Sequence, residues 1–297
     1  WHAAIKGAET FCQGLIDHSG VPGRRFKEFA HFCKRLQGLA WLDGTVVKSP
    51  VAILYGATQM DAFSIQTQSE GFDYWEQLKR WQNAFGGLGV NTDIIHETAD
   101  LSGYRVVVVP SHFVTNSTTV QNITSFVMQG GTVILTPRTG VKDEDNGCLL
   151  APLPGAFARI AGCVVLEYDP IGKRLVDLDM DGVTFHAELW CDVLQPTTGE
   201  TMAVYTSEFY AGQTAIVRNR YGDGTVFAVG VCGHQSLLRR IAAEALQSQQ
   251  ITYHPNLPRG VQLNTRETED GSVKVQFLFN ETARTQSFVL DGRSITL

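Results

Sequence analysis

The sequence is poor in the features that mark most specialised protein classes. No apolar run approaches the roughly 18 residues a membrane-spanning helix needs, and the longest, such as Val106–Val109, are strand-sized. An excess of positive charge is missing too: 24 Lys and Arg stand against 30 Asp and Glu, a net charge of -6. The basic residues are scattered and form no stripe that would follow a phosphate backbone, so neither nucleic acid nor a membrane is an expected partner. Six cysteines (Cys12, Cys33, Cys148, Cys163, Cys191, Cys232) lie far apart, with no C-x-x-C pair and no clustered histidines. Neither a disulfide framework nor a zinc site is legible, no cofactor is expected, and reduced thiols fit a cytoplasmic protein. The sequons at Asn116, Asn122 and Asn280 are what chance supplies in a chain of this length. The chain opens on Trp1 without an initiator Met, a cationic segment or a signal-like core, and reads as an excised piece.

What is present is ordinary globular material. With 43% hydrophobic and 18% charged residues among 297, one sizeable core with appendages is expected. Ala4, Ala8, Phe11 and Leu15 recur at helical spacing and predict a helix over residues 3–16, broken by Asp17 to Gly23. A second helix is predicted over residues 24–39, where Phe26, Phe29, Phe32, Cys33 and Leu36 form a stripe that needs a covering partner. Ser49-Pro50 marks a boundary, after which residues 51–55 read as a strand buried on both faces. Helix 72–85, strand 92–96, strand 104–110, helix 118–129 and a strand ending at Leu135 follow in alternation. Three such crossovers imply an α/β domain with a doubly wound, mostly parallel sheet. From Phe185 onward the pattern changes to antiparallel strands, with Tyr221 to Gly224 as a turn between two of them, then a helix over 235–246. Residues 253–259 read as a linker, and the alternation in 273–279 and 286–290 predicts a small C-terminal antiparallel β domain.

Parallel sheets bind ligands at the carboxyl ends of their strands, so the loops after Tyr55, His96, Pro110 and Leu135 are where chemistry would sit. Gly86-Gly-Leu-Gly89 follows a helix instead of a strand, which is the wrong place for cradling a pyrophosphate. The strand order resembles the class I glutamine amidotransferase fold, where a cysteine occupies a strand-to-helix elbow. Here the corresponding Leu135 to Gly140 carries no thiol, and Cys148 lies eight residues beyond it. Cys232-Gly-His234 places a thiol near an imidazole, but adjacency in sequence says little about a dyad, and a buried structural cysteine is the better reading. The polar run Arg138 to Asn146 reads either as a solvated loop or as a rim contact, in which an Arg138–carboxylate contact is the feature to seek. Trp75 and Trp81 read as packing residues.

Trp1 to Leu15, with its Gly-Ala-Glu at residues 7–9, then His18, Gly20 and Pro22-Gly23, resembles the end of the catalytic barrel in family 42 glycoside hydrolases, the β-galactosidases. Gly130 to Gly140, Lys142-Asp143, Asn146 and Gly224-Thr-Val-Phe-Ala continue the resemblance through nearly the whole chain. It implies three parts: residues 1–46 as the end of the (β/α)8 barrel, 47–250 as an amidotransferase-like trimerisation domain, and 251–297 as a small β domain. It implies a homotrimer and a β-galactoside substrate for the intact enzyme. Glu9 matches a glutamate that accepts hydrogen bonds from galactose hydroxyls. Cys12 stands where the family's motif places a histidine, and Trp1 either faces the sugar or packs in the barrel. The two carboxylates that such retaining enzymes hold roughly 5 to 5.5 Å apart fall, by the resemblance, upstream of Trp1, so no catalytic residue is expected in this chain. A stand-alone amidotransferase-like enzyme and a carbohydrate-binding module are the alternatives.

Overall fold

The computed structural model describes residues 2–10 and 14–297. The chain divides into two compact units, residues 1–46 with 266–274, and residues 47–265 with 275–297. In the first unit, residues 5–10 form bends and turns, and His2 bridges Ile16 in parallel. The helix expected over 3–16 is therefore absent from the described residues. A helix of that length would hold its ends about 20 Å apart, whereas bridged residues lie about 5 Å apart. The next expected helix does form, as α1 (Arg24–Gln37), and ends at Gly38. None of its residues is buried, and Phe29, Phe32 and Leu36 are exposed. The unit is completed by β1 (Thr45–Val46), which pairs antiparallel with Thr268 and Glu267.

The second unit begins with β2 (Val51–Tyr55), α2 (Ala57–Ile65), α3 (Tyr74–Gly86), β3 (Thr92–His96), β4 (Val106–Val109), α4 (Ser117–Met128) and β5 (Thr132–Leu135). Its middle holds α5 (Ala158–Ala161), β6 (Cys163–Met180), β7 (Val183–Pro196), β8 (Glu200–Tyr205), β9 (Thr214–Tyr221), β10 (Gly224–Val229) and β11 (Val231–Gly233). The remaining elements are α6 (Gln235–Ser248), β12 (Val261–Thr268), of which residues 261–265 belong to this unit, β13 (Lys274–Asn280), of which residues 275–280 do, β14 (Ser287–Leu290) and β15 (Arg293–Thr296). Helix α2 has no counterpart in the sequence reading. Its apolar residues lack an amphipathic period, so the usual helical signal is missing. The other helices start where the side chains dictate: Asp73 accepts from the amide of Glu76 at 2.8 Å and Asn116 from that of Thr119 at 2.8 Å, as N-caps do.

Ten strands form one sheet in the order β11-β7-β6-β8-β9-β10-β5-β4-β2-β3. Only β10, β5, β4, β2 and β3 run parallel; β9 meets β10 antiparallel, and every pairing beyond it is antiparallel. A further pairing of β7 with β9, Leu194 opposite Thr214, closes β7-β6-β8-β9 into a barrel-like ring. The expectation of a doubly wound, mostly parallel sheet of class I glutamine amidotransferase-like type is thus overturned, and strand residues outnumber helical ones. The physical cause is β6, an 18-residue strand that shifts register against β7 in three places. Such bulges break the period-2 alternation by which a long strand announces itself.

Within the parallel half, successive residues bury on opposite faces. Val51, Ile53, Val106, Val108 and Ile134 enter one core, and Ala52, Leu54, Val107, Val109, Val133 and Leu135 the other. Trp81 and Leu78 from α3, with Leu237, Ile241 and Leu246 from α6, fill the first core; Ile123 and Val127 from α4 and Ile160 from α5 fill the second. At about 1.5–3 kcal/mol for each fully buried large side chain, these two layers dominate the stabilisation. A third, small cluster of Leu257, Val261, Leu263 and Leu290 holds the terminal strands. Among the described residues no helix is long and apolar enough to cross a membrane.

Candidate functional site at the sheet junction

The carboxyl ends of β4 and β5 meet the antiparallel strands around two polar clusters. After β4 the chain turns through Pro110 to Ser111, which is fully buried with φ 43, a conformation that non-glycine residues rarely adopt. Its amide donates to Thr136 Oγ1 at 2.7 Å, and the amide of His112 donates to Thr139 Oγ1 at 3.2 Å, so the end of β4 is pinned to the end of β5. His112 is 1% exposed, and its Nδ1 lies 3.4 Å from Glu97 Oε2. Gln59 from α2 donates to Glu97 Oε2 at 3.1 Å and to the Val114 carbonyl at 2.7 Å, and accepts from the Val114 amide at 2.8 Å. Burial pushes the His112 imidazolium down to about 4 and the Glu97 carboxyl up. Glu97 is the reason residue 56 is glycine: a Cβ there would meet its Oε2 at 2.0 Å.

The second cluster is built on Arg138, three residues past β5, with φ 65 and 8% exposure. Its guanidinium lies 4.5 Å from the ring centre of Trp190, 5.2 Å from Phe113 and 5.3 Å from Tyr168. Nε and Nη2 both donate to Gln68 Oε1, at 3.1 and 2.8 Å. The Asp192 carboxylate accepts from Trp190 Nε1 at 2.7 Å and from the backbone amide of Arg138. Burial raises Asp192 to about 6, with the indole bond and the Arg138 charge pulling the other way. The carboxylate contact sought for Arg138 is therefore made by its amide and its field, with no side-chain ion pair to Asp192 within bonding range. A cavity of about 30 Å³ lies between Arg138, Thr136, Thr139, Cys163 and Asp192. That is room for a water or two and not for a sugar.

The other sequence-predicted positions are dispersed. Of the polar run after β5, Arg138 to Val141 are buried and Asp143 to Asn146 exposed. Asp143 there closes its own turn by accepting from the amides of Asp145 and Gly147, at 3.1 and 2.7 Å. Trp81 is core, but Trp75 is 44% exposed and stacks on Tyr55 with ring centres 5.2 Å apart. Burial pushes the Cys163 and Cys191 thiols up to about 12 and Cys232 higher still, the reverse of what a nucleophilic cysteine needs. Glu9 lies exposed in a turn of the first unit; Trp1 and Cys12 fall outside the described residues. No group of three or more potential metal ligands occurs among the described residues. The Ser111–His112 turn and the Asp192 partner escaped the sequence reading. Four valines running straight into Pro-Ser-His was the available signal for the first; nothing local marks the second.

The molecule is a mixed α/β sheet with two buried polar clusters that link its own strands and a water-sized cavity beside Arg138. Residues 49–252 match the family described as the β-galactosidase trimerisation domain. The chain belongs to that family. It is 38% identical over 311 residues to the β-galactosidase BgaA of Clostridium cellulovorans, covering 100% of this chain and 47% of the relative. With the β-galactosidase Bga of Halorubrum lacusprofundi it shares 29% over 282 residues, covering 90% of this chain and 40% of that protein. The crystal structure of the Rahnella sp. R3 β-galactosidase superposes with a TM-score of 0.90 at 25% identity, over 100% of this chain and 46% of that one. The chain thus spans less than half the length of these relatives, and it corresponds to a non-catalytic part of them.

Two outcomes follow from the clusters. Arg138→Met leaves the Asp192 carboxylate buried without its countercharge and lowers stability by about 3–5 kcal/mol. Adding Asp192→Asn recovers part of the loss, so a double-mutant cycle in urea gives a coupling well above zero; additive losses contradict the electrostatic account. His112, held neutral when folded, takes up a proton near pH 6.5 once unfolded, so its contribution to stability falls as pH drops from 6.5 to 4. Urea midpoints of His112→Gln lose that slope, worth about 3 kcal/mol across the window.

Proposed function

We propose that this chain is the assembly and support portion of a β-galactosidase that hydrolyses terminal β-D-galactosides as a homotrimer. The match of residues 49–252 to a trimerisation domain carries this reading. The proposed division is the end of a catalytic barrel in residues 1–46, the trimerisation domain in 47–250 and a small β domain in 251–297. Glu9, exposed on its turn, is the proposed acceptor of galactose hydroxyls in the intact enzyme, and Cys12 and Trp1 are the further substrate-contact positions that the resemblance offers. These three assignments rest on the motif resemblance. Cys33, Cys148, Cys163, Cys191 and Cys232 are all unpaired, which supports a reducing, cytoplasmic setting.

The chain by itself leaves nitrophenyl β-galactoside intact; measurable turnover by the pure chain contradicts the reading. In the complete enzyme, Glu9→Ala removes an acceptor worth about 1.5–3 kcal/mol and lowers kcat/KM roughly 10- to 100-fold. An unchanged kcat/KM refutes the assignment of Glu9.

A further inference from the structure

The proposed trimer requires an exposed apolar surface, and the second unit has one in an unusual place. Strand β6 pairs with β7 along its length, but its other edge meets β8 only at Leu178 and Asp179. Among the described residues, no strand lies beside that edge from Val164 to Val176. Two bonds to irregular segments touch this stretch, from the Val165 amide to the Leu153 carbonyl at 2.8 Å and from the Gly172 amide to Ser69 Oγ at 3.1 Å. Asp177 next to it is tied down, donating to Ser207 Oγ at 2.9 Å and accepting from the Thr206 amide at 2.9 Å. An inward-facing residue should alternate with an outward one along a strand. Instead, Leu166, Glu167 and Tyr168 are exposed in succession, and so are Lys173, Arg174 and Leu175. Leu166 and Leu175 are each 58% exposed and Tyr168 54%.

Proteins guard an open edge with charged side chains. Here the charged residues are engaged by the chain itself while staying exposed: Lys173 pairs with Glu70 at 2.7 Å, and Arg174 with Asp169 at 3.1 Å and Glu208 at 3.3 Å. Leu166, Tyr168 and Leu175 stand exposed among them. Tyr168 is also pre-ordered, its ring stacked on Trp190 at 5.3 Å and 21°, with the Arg138 guanidinium against both rings. A held aromatic surrounded by aliphatic side chains is the make-up of an interface anchor, because little rotamer entropy remains to be lost.

We infer that the open edge of β6, from Leu166 to Leu175, is a surface through which one copy of this chain packs against another. The occupant is a second copy because the whole edge falls inside the segment matched to a trimerisation domain; the inference rests on that reading of assembly. A closed three-fold ring uses a head-to-tail contact, in which this edge meets a different surface of the next copy. Each contact then uses the edge once, so altering it breaks all three.

The test is the mass of the chain in solution, by light scattering and native mass spectrometry, for the unmodified protein and for Leu166→Glu with Leu175→Glu. Both residues are exposed in the single chain, so their replacement leaves its core intact. The expected result is a trimer that falls to a monomer with an unchanged near-UV spectrum. A trimer that survives both substitutions overturns the inference and leaves the assembly reading standing. An unmodified chain that is monomeric overturns both. Should the substituted chain fail to fold, hydrogen exchange on the unmodified protein decides: amides of 164–175 gain protection as concentration brings the trimer together, and no gain refutes the contact.

Discussion

Arg138 places a permanent positive charge in the interior, and most of the second unit's architecture can be read as the means of tolerating it. Removing a guanidinium from water costs several kcal/mol even after relaxation. Against that stand three aromatic faces, worth about 2 kcal/mol or more where desolvated, a shared acceptor on Gln68, and the field of Asp192. Those partners come from separate stretches: Gln68 from the loop before α3, Phe113 from the loop after β4, Tyr168 from β6, and Trp190 and Asp192 from β7. A charge that is stable only when all are present makes their meeting obligatory. The parallel and antiparallel halves of the sheet are joined at this point as well as through the β9–β10 ladder.

The same requirement explains the backbone nearby. Ser111 and Arg138 both hold positive φ without being glycine, and such residues cost of order 1–3 kcal/mol each. They turn the ends of β4 and β5 so that Thr136 and Thr139 hydroxyls receive the amides of Ser111 and His112. In an enzyme, strain at a strand end commonly presents a nucleophile. Here Ser111 is fully buried and its hydroxyl reaches only toward Thr136 Oγ1, at 3.5 Å. The strain is spent on pinning the end of β4 to the end of β5.

Legibility in the sequence followed the range of the interactions. Strands β2, β4 and β5 are short continuous apolar runs between polar or glycine-rich breaks, and helix α3 carries its Asp73 cap, so these were readable locally. The antiparallel pattern from Phe185 onward is legible, but the weight of the antiparallel half rests on β6, whose bulges erase its alternation and hide its 18-residue length. The helical spacing of residues 3–16 was genuine, but the bridge between His2 and Ile16 folds that segment back on itself. Arg138 was visible as a candidate, yet its partner Asp192 is 54 positions away in the chain, and only folding brings the two together. Glu9, Trp1 and Cys12 came from motif likeness alone, since no composition or spacing rule distinguishes them.

If Arg138 and its partners do join the two halves, those halves must lose their structure together. Native-state hydrogen exchange on the chain in increasing urea measures this directly. The account predicts that the slowest amides of β4 and β5 and those of β6 and β7 share one opening free energy and one urea dependence. Two separate openings, with the antiparallel ring exchanging while the parallel strands stay protected, would contradict it.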